Sequence, residues 1–171
     1  MLYAAYGSNL HPVRMRQRTP SARLIGTAAV AGMALRFHKR GYRDFSGKCN
    51  IVKDGDRFIY VAIYEISLSE MCWLDHHEGA GSGYDRTLIE VEGFGNCVTY
   101  QATAAAHIDD TLQPFTWYKT LVLAGCQKLA FPDSYVKAIR AVPAVQDLDS
   151  DRHETHMQLA AECVESQGET A

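Results

Sequence analysis

An apolar run from Leu2 to Tyr6 breaks at Gly7, Ser8 and Asn9, and a helix-like segment follows. A strand that stops at a Gly-Ser-Asn turn and feeds a helix leaves amide N–H groups without intrachain partners, directed toward one concavity. Such a concavity suits an anion, most simply a carboxylate. Gly7 permits a positive φ and Asn9 tolerates one, although an ordinary capped turn fits the same spacing. A second candidate is Glu78, at the expected carboxyl end of a helix and just before Gly79, Gly81 and Gly83. The helix's partial negative charge and any apolar cover there favour the protonated carboxyl, which suits proton transfer near neutral pH. Taken alone, a glutamate before a glycine-rich loop reads as a solvated surface residue. His76 and His77 diverge by about 100° on a helix and do not share a metal easily. His153 and His156 are better spaced but lie in a charged tail, so no metal centre is expected.

YGSNL after an amino-terminal strand, and LDHHEG with Leu74, Asp75, Glu78 and Gly79, resemble the two signatures of the γ-glutamylcyclotransferase-like family. The stretch from Trp117 to Val142 is similar to that family's closing helix and the segment after it, so the resemblance spans roughly residues 2 to 143. It implies a small mixed β-barrel or sheet with surrounding helices, and cyclisation of γ-glutamyl amides to 5-oxoproline with release of the amine. It also implies Glu78 as proton shuttle and a substrate cradle of Tyr6, Gly7, Ser8, Asn9 and Leu10. Tyr84, Tyr100 and Tyr118 match tyrosines of the family's pocket, although each by itself reads as a core aromatic. Asp75 reads as a capping or surface residue. Two departures from the family pattern bear on substrate identity: Ala130 and Phe131 before Pro132, and Lys48 and Cys49 before Asn50.

The implied reaction needs little besides positioning. The substrate's own α-amine attacks its γ-carbonyl, and holding the two together is an orientation effect worth several powers of ten. One carboxylate can take the amine's proton and return it to the departing nitrogen. No metal, nucleotide or covalent intermediate is required, and Ser8, outside any G-x-S-x-G context, is not a nucleophile. A γ-glutamyl amino acid, glutathione and a γ-glutamyl amine all fit the same head group. A non-catalytic small-molecule binder of the same fold is the alternative.

A chain of 171 residues, 47% hydrophobic and 22% charged, suits one globular domain. Residues 1–60 carry 11 Lys and Arg against 3 Asp. That imbalance is compatible with a nucleic-acid face, but the two halves of one domain more often offset each other in space or form opposed patches at a homodimer contact. Five scattered cysteines without C-x-x-C spacing read as reduced and mostly buried, in a cytoplasmic protein. No charged leader or membrane span is recognised.

Positioning the candidate residues requires an α+β domain over residues 1–146, with a charged tail, partly helical or disordered, over 147–171. A short polar helix is expected from Pro12 to about Arg18, with Met15 inward and the arginines in solvent. Two short strands are expected between Ala22 and Phe37, then a polar loop from His38 to Gly47. A strand from Cys49 to Val52, a hairpin turn at Lys53–Asp56 and a strand from Phe58 to Ile66 follow. Ser67 and Glu70 form a capping-box pattern before the helix that ends near His77. Further strands are expected at Arg86–Val91 and Val98–Ala106, and helices at Thr116–Leu129 and from Asp133 or Ser134 to Val142. The final SQGETA reads as disordered.

Overall fold

The computed structural model describes residues 1–165; the expectation for SQGETA lies outside them. Five strands form one mixed sheet in the order β2-β3-β1-β5-β4. The central strand is β1 (Leu2–Ala5). It pairs antiparallel with β3 (Gly47–Glu65) and parallel with β5 (Gly95–Gln101). The outer strands are β2 (Arg23–Arg40) and β4 (Asp85–Val91). Five α-helices surround the sheet: α1 (Pro12–Arg18), α2 (Met71–Glu78), α3 (Thr116–Lys128), α4 (Asp133–Ala141) and α5 (Ser150–Glu165). The sheet curls until Phe94, in the β4–β5 turn, lies over Gly26 of β2, where a Cβ would stand 2.7 Å from the ring. This contact packs the β4–β5 turn against β2 without pairing β4 to β2, so the sheet form of the expectation is the one observed and the barrel is not closed by hydrogen bonds.

The long β2–β3 hairpin differs from the expected pattern. Two short strands and a hairpin turn at Lys53–Asp56 are replaced by two continuous strands with register shifts. The turn-forming residues 54–57 bulge where Ala31 pairs with Phe58 and Met33 with Lys53, opposite Gly32 at φ +74°. Pairing resumes on both sides, so turn chemistry is absorbed as a bulge rather than a reversal. The reversal lies at residues 41–46, and His38 and Lys39, expected in a loop, are buried strand residues. His38 is held there because its Nδ1 meets Asp110 at 2.8 Å and its Nε2 accepts from Asn50 at 3.1 Å.

The capping box is also not formed. Ser67 Oγ meets Ser69 Oγ at 2.8 Å, and Glu70 accepts the Ser21 amide at 2.9 Å. A 3-10 turn (Leu68–Glu70) therefore precedes α2. The carboxyl end of α2 is well defined: Gly79 takes φ +67° and its N–H returns to the carbonyls of Asp75 and His76. Neither Asp133 nor Ser134 caps α4; the chain enters it from Pro132, whose ring pre-sets φ. The helix α5 is longer than expected and docks on the start of α3. Trp117 donates to Asp147 at 2.9 Å, the His156 ring stacks on Trp117 at 4.1 Å, and Cys163 is fully buried.

Candidate active site

The strand β1 delivers Tyr6 and Gly7 to a single 3-10 turn (Ser8–Leu10). Gly7 has φ −118°, so the positive φ anticipated for it is not used. Glycine is needed there for room: a Cβ would stand 3.1 Å from the Cβ of Cys49 and 3.4 Å from the Tyr118 hydroxyl. Ser8 and Asn9 occupy the first turn, where no intrahelical acceptor precedes their amides. Leu10 does not share that role. Its N–H is spent on the Gly7 carbonyl at 3.0 Å, its carbonyl accepts from Tyr64 at 2.7 Å, and its side chain is fully buried in the core.

The turn floors a narrow pocket of about 280 Å³, its mouth included, walled by Tyr6, Tyr84, Tyr100 and Tyr118 and by Glu78. Eight of the nine residues singled out from the sequence thus line one concavity, and Leu10 is the exception. The phenol rings are fixed by hydrogen bonds at their tips. Tyr6 donates to the Tyr100 carbonyl, Tyr84 donates to the Cys49 carbonyl, and Tyr118 accepts the Cys49 amide at 3.1 Å. Tyr100 donates to Asp75 at 2.6 Å, and Asp75 is paired with Arg86, so Asp75 holds a wall of the pocket rather than standing in solvent. Burial pushes Tyr6, Tyr84 and Tyr118 well above the ordinary phenol range. They are neutral walls and donors, not phenolate bases.

Glu78 is the last residue of α2. Its Oε1 accepts from Arg18 at 2.7 Å and from the Asn9 amide at 2.8 Å. Asn9 is itself held, since its Oδ1 accepts from Arg18 at 2.8 Å and its amide also reaches the Tyr3 hydroxyl at 3.1 Å. Asn9 therefore serves through its side chain rather than through a left-handed backbone. Oε2 of Glu78 has no hydrogen-bond partner among the described residues.

Tyr3, Cys49 and Arg18 escaped the sequence reading. LYAAY is apolar throughout, so period-2 alternation does not separate its faces. Arg18 was expected in solvent with its neighbours. Arg14 and Arg18 lie one turn apart on one face of α1, Arg14 is 7% exposed, and that spacing was the available signal. Cys49 lies at one of the two departures from the family pattern, which therefore falls at the pocket. Burial pushes its thiol up to about 12, so it is not a thiolate nucleophile at neutral pH. Among the described residues no group of three or more His, Cys, Asp and Glu is placed to hold a metal ion.

Residues 58–139 match the model of the AIG2-like family, a stretch from β3 to α4 that contains Glu78 but not the Tyr6–Leu10 turn. The chain is 27% identical over 150 residues to a γ-glutamylcyclotransferase of Bos taurus, covering 82% of this chain and 78% of that one. Over 148 residues it is 26% identical to the γ-glutamylcyclotransferase of Homo sapiens. A solved structure of a γ-glutamyl cyclotransferase superposes with a TM-score of 0.82 at 23% identity, over 95% of this chain and 98% of that one. The chain is similar to the γ-glutamylcyclotransferases in sequence and in fold. Its mixed five-stranded sheet with five helices is the γ-glutamylcyclotransferase-like fold, as the two sequence signatures implied. Among the described residues no helix is long and apolar enough to cross a membrane.

Proposed function

We propose that this γ-glutamylcyclotransferase-like chain is a γ-glutamyl amide cyclotransferase, converting its substrate into 5-oxoproline and a free amine with Glu78 as the proton shuttle. The observation that carries the reading is Glu78 itself. One of its oxygens is clamped by Arg18 and Asn9 and the other is free, at the wall of a narrow tyrosine pocket. The names of the relatives support it as well.

The γ-glutamyl head lies on the Tyr6–Asn9 turn, whose first-turn amides suit its carboxylate or the developing charge on its γ-oxygen. The flat tyrosine walls exclude water and hold the head folded, with its α-nitrogen toward the γ-carbon. Glu78 takes a proton from the α-ammonium, and the freed lone pair forms the N–C bond to the γ-carbonyl carbon. As the tetrahedral centre collapses, Glu78 hands the proton to the departing nitrogen and the C–N bond to the amine breaks. Of the three ammonium protons, one stays on the lactam nitrogen, one passes through Glu78 to the departing nitrogen as the C–N bond breaks, and the third leaves the ring nitrogen by the same carboxylate to make the released amine an ammonium, so Glu78 returns as the carboxylate. Arg18 and Asn9 orient that carboxylate throughout the cycle.

Incubation with γ-glutamyl-L-alanine, followed by chromatographic analysis of the products, tests the reading. Equal amounts of 5-oxoproline and alanine are expected. Glutamate in place of 5-oxoproline would mean attack by water and would overturn it.

A further inference from the structure

Lys39 presents a buried charge that the steps above do not use. It is 4% exposed, on β2, and among the described residues no carboxylate lies within 4.0 Å of its ammonium. Its neighbour in kind, Lys48, contrasts with it: Lys48 donates to Asp44 at 2.6 Å and rests over Trp117 and Tyr118. Lys39 Nζ instead stands 4.5 Å from the centroid of Tyr84, a ring that lines the pocket. The loop after Glu78 is shaped around it. Gly83 takes φ +142°, and a Cβ there would come within 2.9 Å of Lys39 Cε and 3.0 Å of Nζ. Burial holds this ammonium below its usual range, only partly offset by the charges of Glu78 and Asp44. Burying an ammonium without an anionic partner is costly, and the cost is recovered when an anion arrives.

We infer that Lys39 receives an anionic group on the amine side of the substrate, so that the chain selects γ-glutamyl compounds whose leaving amine bears a carboxylate over those whose leaving amine is neutral. The inference rests on the cyclotransferase reading of the pocket. Lys39 is not part of the lining around Glu78 and the Tyr6–Asn9 turn that the γ-glutamyl head fills. It stands just outside that lining, beside Tyr84, and the inference places there the portion of the substrate past the γ-carbonyl. A second anion there also explains why the loop needs glycine at residue 83: a side chain would press on the ammonium that has to meet the substrate.

The test compares γ-glutamyl-L-alanine with γ-glutamyl-L-alaninamide, nearly identical in size but with the carboxylate replaced by a neutral amide. The wild-type chain is expected to show kcat/KM for 5-oxoproline release at least about tenfold higher on the acid, the scale of a partly buried charge pair. In Lys39→Met the ratio of the two values is expected to fall toward one, and in Lys39→Arg the preference is expected to persist. A wild-type ratio near one overturns the inference without any variant, so a poorly folding variant does not decide the matter. An undiminished preference in Lys39→Met also overturns it. Those two outcomes leave the cyclotransferase reading standing, because 5-oxoproline is still released. No 5-oxoproline from either compound overturns both.

Discussion

The Arg18 guanidinium meets the Glu78 carboxylate at 2.7 Å, and each is the last residue of its helix, α1 and α2. A helix carboxyl end carries partial negative charge, which favours the arginine and disfavours the glutamate. The pairing offsets the second effect with a cation that the first already holds in place. Arg18→Gln keeps a donor and removes the charge. Its expected effect is a fall of about tenfold or more in kcat/KM for 5-oxoproline release, the scale of one charge-assisted hydrogen bond. Steady-state kinetics on γ-glutamyl-L-alanine check it, and an unchanged value would remove Arg18 from the orienting role.

Gly125 brings α3 against the Ser8–Leu10 turn. A Cβ there would stand 2.4 Å from Leu10 Cβ and 3.0 Å from the His11 amide, with backbone on one side and no flexible side chain to give way. Gly125→Ala is expected to destabilise by about 2–3 kcal/mol and to lower activity together with stability. Thermal melting followed by circular dichroism measures the first effect. A melting temperature equal to that of the wild type would show that α3 and the turn can separate freely.

Stability is expected to fall as pH drops from about 6.5 toward 4. Burial holds both His11 and His156 down to about 4 in the fold, each also beside cationic neighbours, Lys128 for the first and Arg14 for the second. Each is neutral in the fold at a pH where the unfolded chain takes up a proton, so stability is full above the unfolded value and lost as pH falls through the folded one. His11 Nδ1 must also stay unprotonated to accept the Val13 amide at 3.3 Å. Denaturant melts between pH 7 and pH 4.5 check the slope. His156→Phe, which keeps a ring on Trp117, should flatten it.

Asp147 governs the next interval. Its bonds to Arg152 and Trp117 hold it down to about 2, so its contribution is complete above the ordinary carboxylate value and is lost as pH falls from there toward 2. At neutral pH, Asp147→Ala is expected to cost about 2 kcal/mol, because it leaves a buried indole N–H and an arginine without their acceptor. Limited proteolysis should then cut first within α5.

Alkylation distinguishes the pocket thiol from the surface one. Cys49 and Cys126 are buried and pushed up to about 12, whereas Cys72 is exposed. Iodoacetamide at pH 8 is expected to label Cys72 while leaving 5-oxoproline release intact, with the sites read by peptide mass spectrometry. Rapid labelling of Cys49 in the native protein would show that the pocket opens more than the packing of Tyr84 and Tyr118 suggests.

The strands with one clear pattern were legible in the sequence. Phe58–Ile66 covers the last part of β3, where Ile59 and Val61 to Tyr64 are fully buried, and the YGSNL and LDHHEG stretches, about 70 residues apart, converge on one pocket in which the Asn9 amide meets Glu78. What escaped depended on partners distant in sequence. Arg18 is an unremarkable helix-end arginine until Glu78 is beside it, and Lys39 belongs to a loop-like run until Gly83 and Tyr84 bury it. Three basic side chains of the first third are likewise met by acids of the remainder: Arg23 with Glu65, Arg40 with Asp109 and Arg18 with Glu78. The capping-box pattern at Ser67 and Glu70 misled because Glu70 finds a better donor in the Ser21 amide, on a segment that local spacing cannot see.

The most direct test of the account is turnover of γ-glutamyl-L-alanine by Glu78→Gln beside the wild type, with matched circular dichroism and melting temperatures. Glutamine preserves the shape and an acceptor for Arg18 and Asn9 but cannot carry the proton. A loss of at least about a hundredfold in 5-oxoproline release is predicted, the lower range for removing a general acid–base. Undiminished release from a folded Glu78→Gln protein would contradict the assignment of Glu78 as the proton shuttle.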